Sequence, residues 1–257
     1  MSIFTKRRAD APPGFFEAEA AALAWLGVGG GVAVADVLGV GDHHIDLEEL
    51  DEVRPTPEAA RRFGRDLART HDAGAAAFGA PPDGWAGPTF IGRRPQSCRP
   101  TASWGSFYAR QRVAPFVRIA REAGTISAGE DVVIARALER IEAGELDDDD
   151  RPARLHGDLW NGNVVFTAGG VVLIDPAAHG GHRETDLAML GLFGCPFLEE
   201  VVAGYQEQHP LRAGWRDRIP LHQLHPLAVH AAGHGRSYGR ALVAAADRTL
   251  SLRADGG

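Results

Sequence analysis

The sequence predicts an α+β protein in two unequal lobes: a small one, residues 1–51, that carries strands, and a larger, mainly helical one, residues 52–257. Three observations predict it. Strand-like runs crowd the first 51 residues around one Ala-rich helix. A hairpin pattern stands alone in the second half, residues 164–166 and 171–174 about a Gly-Gly turn. Most other patterned segments after residue 52 carry the helical period.

In chain order, residues 3–6 (Ile-Phe-Thr-Lys) are a short strand-like stretch. Residues 16–26 are Ala-rich with apolar positions at helical spacing, which predicts a helix. Residues 28–40 are broken by glycines, and the Val-Ala-Val-Ala-Asp-Val-Leu run within them reads as a strand or strand entry. Residues 45–50 alternate apolar and acidic, as a strand running into a linker does. Pro55 and Pro57 stand just ahead of an amphipathic helix over 58–71. Residues 79–103, rich in Pro, Gly and Ser, read as one long loop, of a length that is usually functional or mobile. Helices are predicted over 104–123 and 129–143. The run Asp147 to Asp150 reads as a solvated loop, because adjacent aspartates lack the spaced ligands of a calcium loop. From residue 185 onward the pattern is helical.

Composition narrows the function. A formal charge of −7 argues against nucleic acid as a partner, although a local basic or metal site can still hold a nucleotide. The two cysteines, Cys98 and Cys195, form no CxxC pair and no disulfide framework, which fits a reducing cytoplasm. No apolar h-region follows the charged start, and no run approaches the ~18 apolar residues of a membrane span.

The chemistry gathers around the hairpin. His156 and Asp158 form an H-x-D pair, Asn163 follows Asp158 at D-x4-N spacing, and Asp175 comes after the second strand. A hairpin sets the residues before its first strand beside those after its second, so Asp158, Asn163 and Asp175 converge. Phosphoryl transfer needs such a set. One carboxylate accepts the proton of the attacking hydroxyl, while an amide oxygen and a second carboxylate hold the Mg²⁺ that bridges the phosphates of ATP. A protein-kinase-like fold also asks for a strand lysine and a helix glutamate to pair with it. Lys6 and Glu19 fill those places, with Glu17 as the rival on another face.

On these residues the sequence resembles the fructosamine (ketosamine) kinase family, in the aminoglycoside phosphotransferase and choline kinase branch of the protein-kinase-like fold. The strongest stretches are His156-Gly-Asp-Leu-Trp-Asn-Gly-Asn163 and Asp175-Pro-Ala-Ala-His-Gly-Gly-His-Arg-Glu-Thr-Asp-Leu-Ala-Met189. Ile3 to Lys6, Phe15 to Glu19, Phe90 to Gln96 and Trp104 to Pro115 also match, and the similarity covers nearly the whole chain. The resemblance implies Asp158 as base, Asn163 and Asp175 as magnesium ligands, and Lys6 with Glu19 as the phosphate anchor. It implies Glu48, Glu49 and Leu50 as the hinge that meets adenine. It makes Asp186, together with His156, a brace of the catalytic loop. Trp160 reads equally as a sugar contact or a packing residue. His182 and Glu184 read equally as substrate-side groups or as a polar network steadying the loop. The implied activity is ATP-dependent phosphorylation of ketosamine sugars, with deglycation repair as its role; the sequence leaves the oligomeric state open, with a monomer favoured.

One departure stands out. Only five residues precede Lys6, so the glycine-containing strand pair of such kinases is missing; the expectation is a start placed too late or a shortened N-lobe. The rivals are a kinase of another small molecule (an aminoglycoside, an amino alcohol, a free sugar), an inactive binding protein, and a metal-dependent phosphohydrolase built on His156 and Asp158. His222, His225, His230 and His234 fall near helical spacing and read as packing on an amphipathic helix rather than a zinc site.

Overall fold

The computed structural model describes residues 2–253. The small lobe is built on three antiparallel strands in the order β1-β4-β3: β1 (Ile3–Arg7), β3 (Val37–Gly41) and β4 (His44–Glu48). Lys6 stands opposite Ile45. Period-two alternation buries Ile45 and Leu47 on one face, where they meet Phe16 and Leu23 of helix α1 (Phe15–Leu26). The 32–38 run is not one strand. Its first part, β2 (Ala33–Val34), pairs in parallel with β9 (Gly170–Leu173) of the large lobe, and its second part becomes β3. The run is apolar at every position but Asp36, so it carries no single alternating face, and it crosses between lobes at that residue.

Helix α1 is also fastened to the large lobe at both ends. At its start the Phe15 ring lies 5.1 Å from Phe90. At its end Trp25 Nε1 donates to Asp83 Oδ2 at 2.9 Å, and the Arg154 guanidinium lies 4.4 Å over the Trp25 ring.

The large lobe opens with α2 (Pro57–Asp72), where Pro57 occupies the first turn and Thr56 caps the Ala59 N–H. The expected 79–103 loop contains a hairpin, β5 (Thr89–Ile91) and β6 (Arg94–Gln96), turned by Gly92 at φ 53°. Three-residue strands are too short to show a period, and Pro95 is tolerated because the ladder has only two strands. Next come α3 (Trp104–Phe107), a π-helical stretch Tyr108–Val113, α4 (Ala114–Glu122) and α5 (Ala128–Glu142). Ser127 and Glu130 form a capping box at the start of α5.

The acidic run is not solvated as expected. Asp147 accepts from Ser103 Oγ and the Gly105 N–H, Asp148 faces His182, and Asp150 pairs with Arg183 at 2.8 Å; Asp149 alone of the four is fully exposed. Its partners come from distant segments, which local sequence does not display.

The segment that carries His156, Asp158, Asn163 and Asp175 is bracketed by β7 (Ala153–Leu155) and β10 (His179–Gly181), which pair antiparallel. Between them lie a 3-10 turn Asn161–Asn163 and the hairpin of β8 (Val164–Thr167) and β9, in register from Val164 opposite Leu173 to Thr167 opposite Gly170. Five helices follow among the described residues: α6 (Glu184–Leu192), α7 (Leu198–Gln208), α8 (Trp215–His222), α9 (Leu224–His234) and α10 (Arg236–Leu250). Phe63 and Leu67 of α2, Val164, Phe166 and Leu173 of the hairpin, and Leu187 and Tyr205 share one core. Helices α2 and α7 approach so closely that a Cβ on Gly64 would overlap the Val201 carbonyl, and one on Gly204 the Arg61 carbonyl.

Candidate active site

The loop of His156 and Asp158 begins where β7 ends. Gly157 takes φ 80°, and a side chain there would strike the Ala177 carbonyl and the His179 ring. The buried Asp186 carboxylate accepts the His156 N–H at 2.8 Å and the Gly157 N–H at 3.0 Å, fixing two otherwise unpaired donors of the loop. His156 joins the two ends of the hairpin. Its Nδ1 accepts the Asp158 N–H at 3.2 Å, so Nε2 carries the hydrogen and donates to the Ile174 carbonyl at 2.9 Å, one residue before Asp175. Asn163 Nδ2 donates to the Asp158 carbonyl at 2.7 Å and reaches toward its Oδ2 at 3.4 Å. That assignment leaves the Asn163 amide oxygen available to a cation.

Asp175 sits at φ 54°, a left-handed conformation uncommon for a residue with a side chain. Its Oδ1 is 2.7 Å from Lys6 Nζ, and the same ammonium is 2.8 and 2.9 Å from the two Glu19 oxygens. Of Glu17 and Glu19, it is Glu19 that meets the lysine. Burial alone would lower the Lys6 pKa, but the Glu19 and Asp175 carboxylates outweigh it and hold the ammonium charged. Asp158 goes the other way: burial pushes its carboxyl up to about 7, with Asp175 and Asp186 adding to the rise and the Asn163 amide opposing it.

Two cavities meet at Lys6 and Asp175. One, about 240 Å³, is lined by Asp158, Asn163, Trp160, Glu19, Phe15 and Phe90 among others. The other, about 380 Å³, lies under β1 between the lobes, against Phe4, Ala35, Leu47, Val165 and Ile174, with Glu48, Glu49 and Leu50 along it. Lys6 and Asp175 line both; Asp158 lines only the first.

Residues 1–251 match the family model described as fructosamine kinase. The chain belongs to the fructosamine kinase family. The probable ketoamine kinase of Enterococcus faecium is 33% identical over 240 residues, covering 93% of this chain and 84% of that protein. A Thermobifida fusca protein, whose crystal structure is described as that of a candidate fructosamine-3-kinase, is 47% identical with a TM-score of 0.90, covering 97% of this chain and 86% of that one. An aminoglycoside phosphotransferase in ternary complex with AMP-PNP and hygromycin B shares the fold, at 16% identity and a TM-score of 0.58, over 93% of this chain and 84% of that one. The fold is thus the two-lobed protein-kinase-like one, of aminoglycoside phosphotransferase type, and the chain is a phosphotransferase acting on a hydroxyl group.

In this member of the fructosamine kinase family, His182 and Glu184 do not line the cavity that holds Asp158. Both are buried and face a separate charged cleft of about 930 Å³, with His71, Asp148, Arg183 and His209. Of the two readings offered for them, their surroundings match the polar network: the chain leaves the cavity after Ala178, where β10 begins. Glu184 pairs with Arg218, and the Arg218 and His222 partners draw its carboxyl down to about 2 against the effect of burial. His182, Glu184 and His222 bring donor atoms within 4.8 Å of one another, as metal ligands do. Their hydrogen bonds favour a polar network instead. His182 Nδ1 accepts the Glu184 N–H at 3.2 Å, which puts the hydrogen on Nε2, directed at Asp148, and Arg218 already occupies Glu184.

Phe4, Phe15, Phe90, Val165 and Ile174 line the two cavities and escaped the sequence reading. Phe4 carried a signal: it stands two residues from Lys6, hence on the same face of β1. The Asp186 brace extends through His71 (3.3 Å) to the Tyr205 hydroxyl (2.8 Å), a chain of contacts that no local motif marks. Among the described residues no helix is long and apolar enough to cross a membrane.

Proposed function

We propose that this protein transfers the γ-phosphoryl group of ATP to a sugar hydroxyl of ketosamines, that is, fructosamine or ribulosamine adducts of amines. The junction of the two cavities carries the reading. A nucleotide in the cleft under β1, with adenine along Glu48, Glu49 and Leu50, would bring its phosphates to Lys6 and Asp175. An acceptor in the smaller cavity would meet Asp158. In the transfer, the acceptor O–H proton passes to the Asp158 carboxylate, the acceptor oxygen bonds to the γ-phosphorus, and the bond from that phosphorus to the ADP oxygen breaks. Lys6, kept charged by Glu19, holds phosphate oxygens. The Asn163 amide oxygen and the Asp175 carboxylate are hard oxygen donors that fit Mg²⁺. When bound there, that ion would neutralise charge on the phosphates.

The family and the Enterococcus faecium relative support ketosamines as the acceptor class, and the kinase relatives crystallised with nucleotide analogues support ATP. The Trp160 indole on the rim of the acceptor cavity suits a sugar face. The biological role would be deglycation repair in the cytoplasm, without nucleic acid or membrane partners. The test is ATP consumption with ribulose-lysine and fructose-lysine, against kanamycin and choline, with Asp158→Ala as control. Ketosamine-dependent turnover that vanishes in the variant is expected. Turnover with kanamycin or choline alone would overturn the substrate reading, and no turnover with any acceptor would favour an inactive binding protein.

A further inference from the structure

The acceptor cavity, about 240 Å³, falls below the range of about 300–1,000 Å³ that encloses a whole small-molecule ligand. It has room for the sugar of a ketosamine but leaves the amine's carrier outside. We propose that the carrier's alkyl chain lies on an aromatic ledge at the cavity mouth, formed by Phe193, His230, His234 and Tyr238. This rests on the ketosamine reading above and deepens it from the sugar to what bears the sugar.

Two independent routes lead from the cavity to that ledge. The first runs through Trp160, which lines the cavity yet is 40% exposed. Its indole lies across Gly162, where a Cβ would overlap the ring. Phe193 meets Trp160 edge-on at 6.1 Å and stands 4.6 Å from His230, whose ring is 5.0 Å from Tyr238 and 5.1 Å from His234. The second route runs through the β5–β6 hairpin. Phe90 of that hairpin lines the cavity, and Arg94 at its other strand donates to the Ala232 carbonyl near the end of α9 at 2.8 Å. Both routes end beside His230 and His234, so the ledge adjoins the mouth rather than some remote face.

The exposure of these rings fits a binding surface. Phe193, His230 and Tyr238 are half-buried and His234 is exposed, so their faces are not consumed by the core. The nitrogen that bears the sugar is a secondary amine, protonated near neutral pH, and Trp160 at the mouth offers a π-face to that cation. Beyond it a lysine carrier adds four methylenes. Each methylene covered by the ledge rings is worth about fourfold in affinity. The structure therefore favours long alkyl carriers, such as lysine side chains, over methylamine.

The test compares kcat/KM for the fructose adducts of methylamine, butylamine and Nα-acetyl-lysine amide. Wild type is set beside Tyr238→Phe, Tyr238→Ala and Phe193→Ala, each checked for folding by circular dichroism and melting temperature. In wild type the butylamine adduct should exceed the methylamine adduct by about tenfold or more. Tyr238→Phe, which keeps the ring, should retain that ratio, and the two alanine variants should shrink it at least about threefold. An equal ratio in wild type and both alanine variants would overturn the ledge and leave the ketosamine reading standing. No turnover of any adduct by wild type would overturn both.

Discussion

Asp158 carries a conflict between function and stability. Its pKa, pushed up to about 7 by burial first and neighbouring carboxylates second, compares with an ordinary value of 3.8. Between those values the folded protein holds a proton that the unfolded chain has released. Stability therefore falls as pH rises from about 4 through 7, and the cost is complete above 7 and absent below 3.8. Asp158→Asn should raise the unfolding free energy of the nucleotide-free protein by about 1–4 kcal/mol at pH 8 and by little at pH 4, read from urea denaturation. The same variant should lower kcat by about 10²–10⁴-fold. Asp186→Ala should fail in a different way. It leaves the His156 and Gly157 N–H groups unpaired, so both stability, by about 1–3 kcal/mol, and kcat should drop. Positions that depend on spacing around one hairpin were readable in the sequence: Asp158, Asn163 and Asp175 converge on one cavity as their order implies. His182 and Glu184 were not, because closeness to Asp175 along the chain says nothing of the turn that β10 makes. Their true neighbours, Asp148, Arg218 and His222, are tens of residues away.

At the scale of elements, the long periodic helices and the catalytic hairpin were legible, and the short or irregular pieces were not. The β5–β6 strands offer three residues each, and the π-helical stretch keeps an ordinary helical pattern while shifting the register around Tyr108 and Arg112. The split of residues 32–38 between two sheets depends on partners that only the fold supplies. The contact of α2 with α7 shows how a glycine can matter inside a helix without any unusual backbone angle. Gly64 and Gly204 let two backbones touch, each facing a carbonyl of the other helix. Gly64→Ala gains helix propensity but must push α7 away. It should cost about 1–3 kcal/mol net in chemical denaturation. Because α2 also supplies Phe63, Leu67 and His71 to the catalytic segment, the loss should be accompanied by lower kcat.

For the whole molecule, the cavity under β1 lies where the small lobe's sheet faces the large lobe, against Ala35, Val165 and Ile174. Mg²⁺ with AMP-PNP at 100 times its Kd should stabilise the fold by about 2.7 kcal/mol, visible as a raised Tm, and Lys6→Met should diminish that shift. Hydrogen exchange should show the β1–β4–β3 sheet opening more readily than α1, because the helix is held by Phe90, Asp83 and Arg154 of the large lobe. That double fastening decides which part is the door and which the frame. Should exchange show the sheet opening ahead of the helix, Lys6 would move with the sheet and Glu19 stay with the frame, and the 2.8 Å bridge between them would be broken at each opening and remade at each closing. A lysine held that way would be fully set only with the door shut, which couples its charge to the closed state.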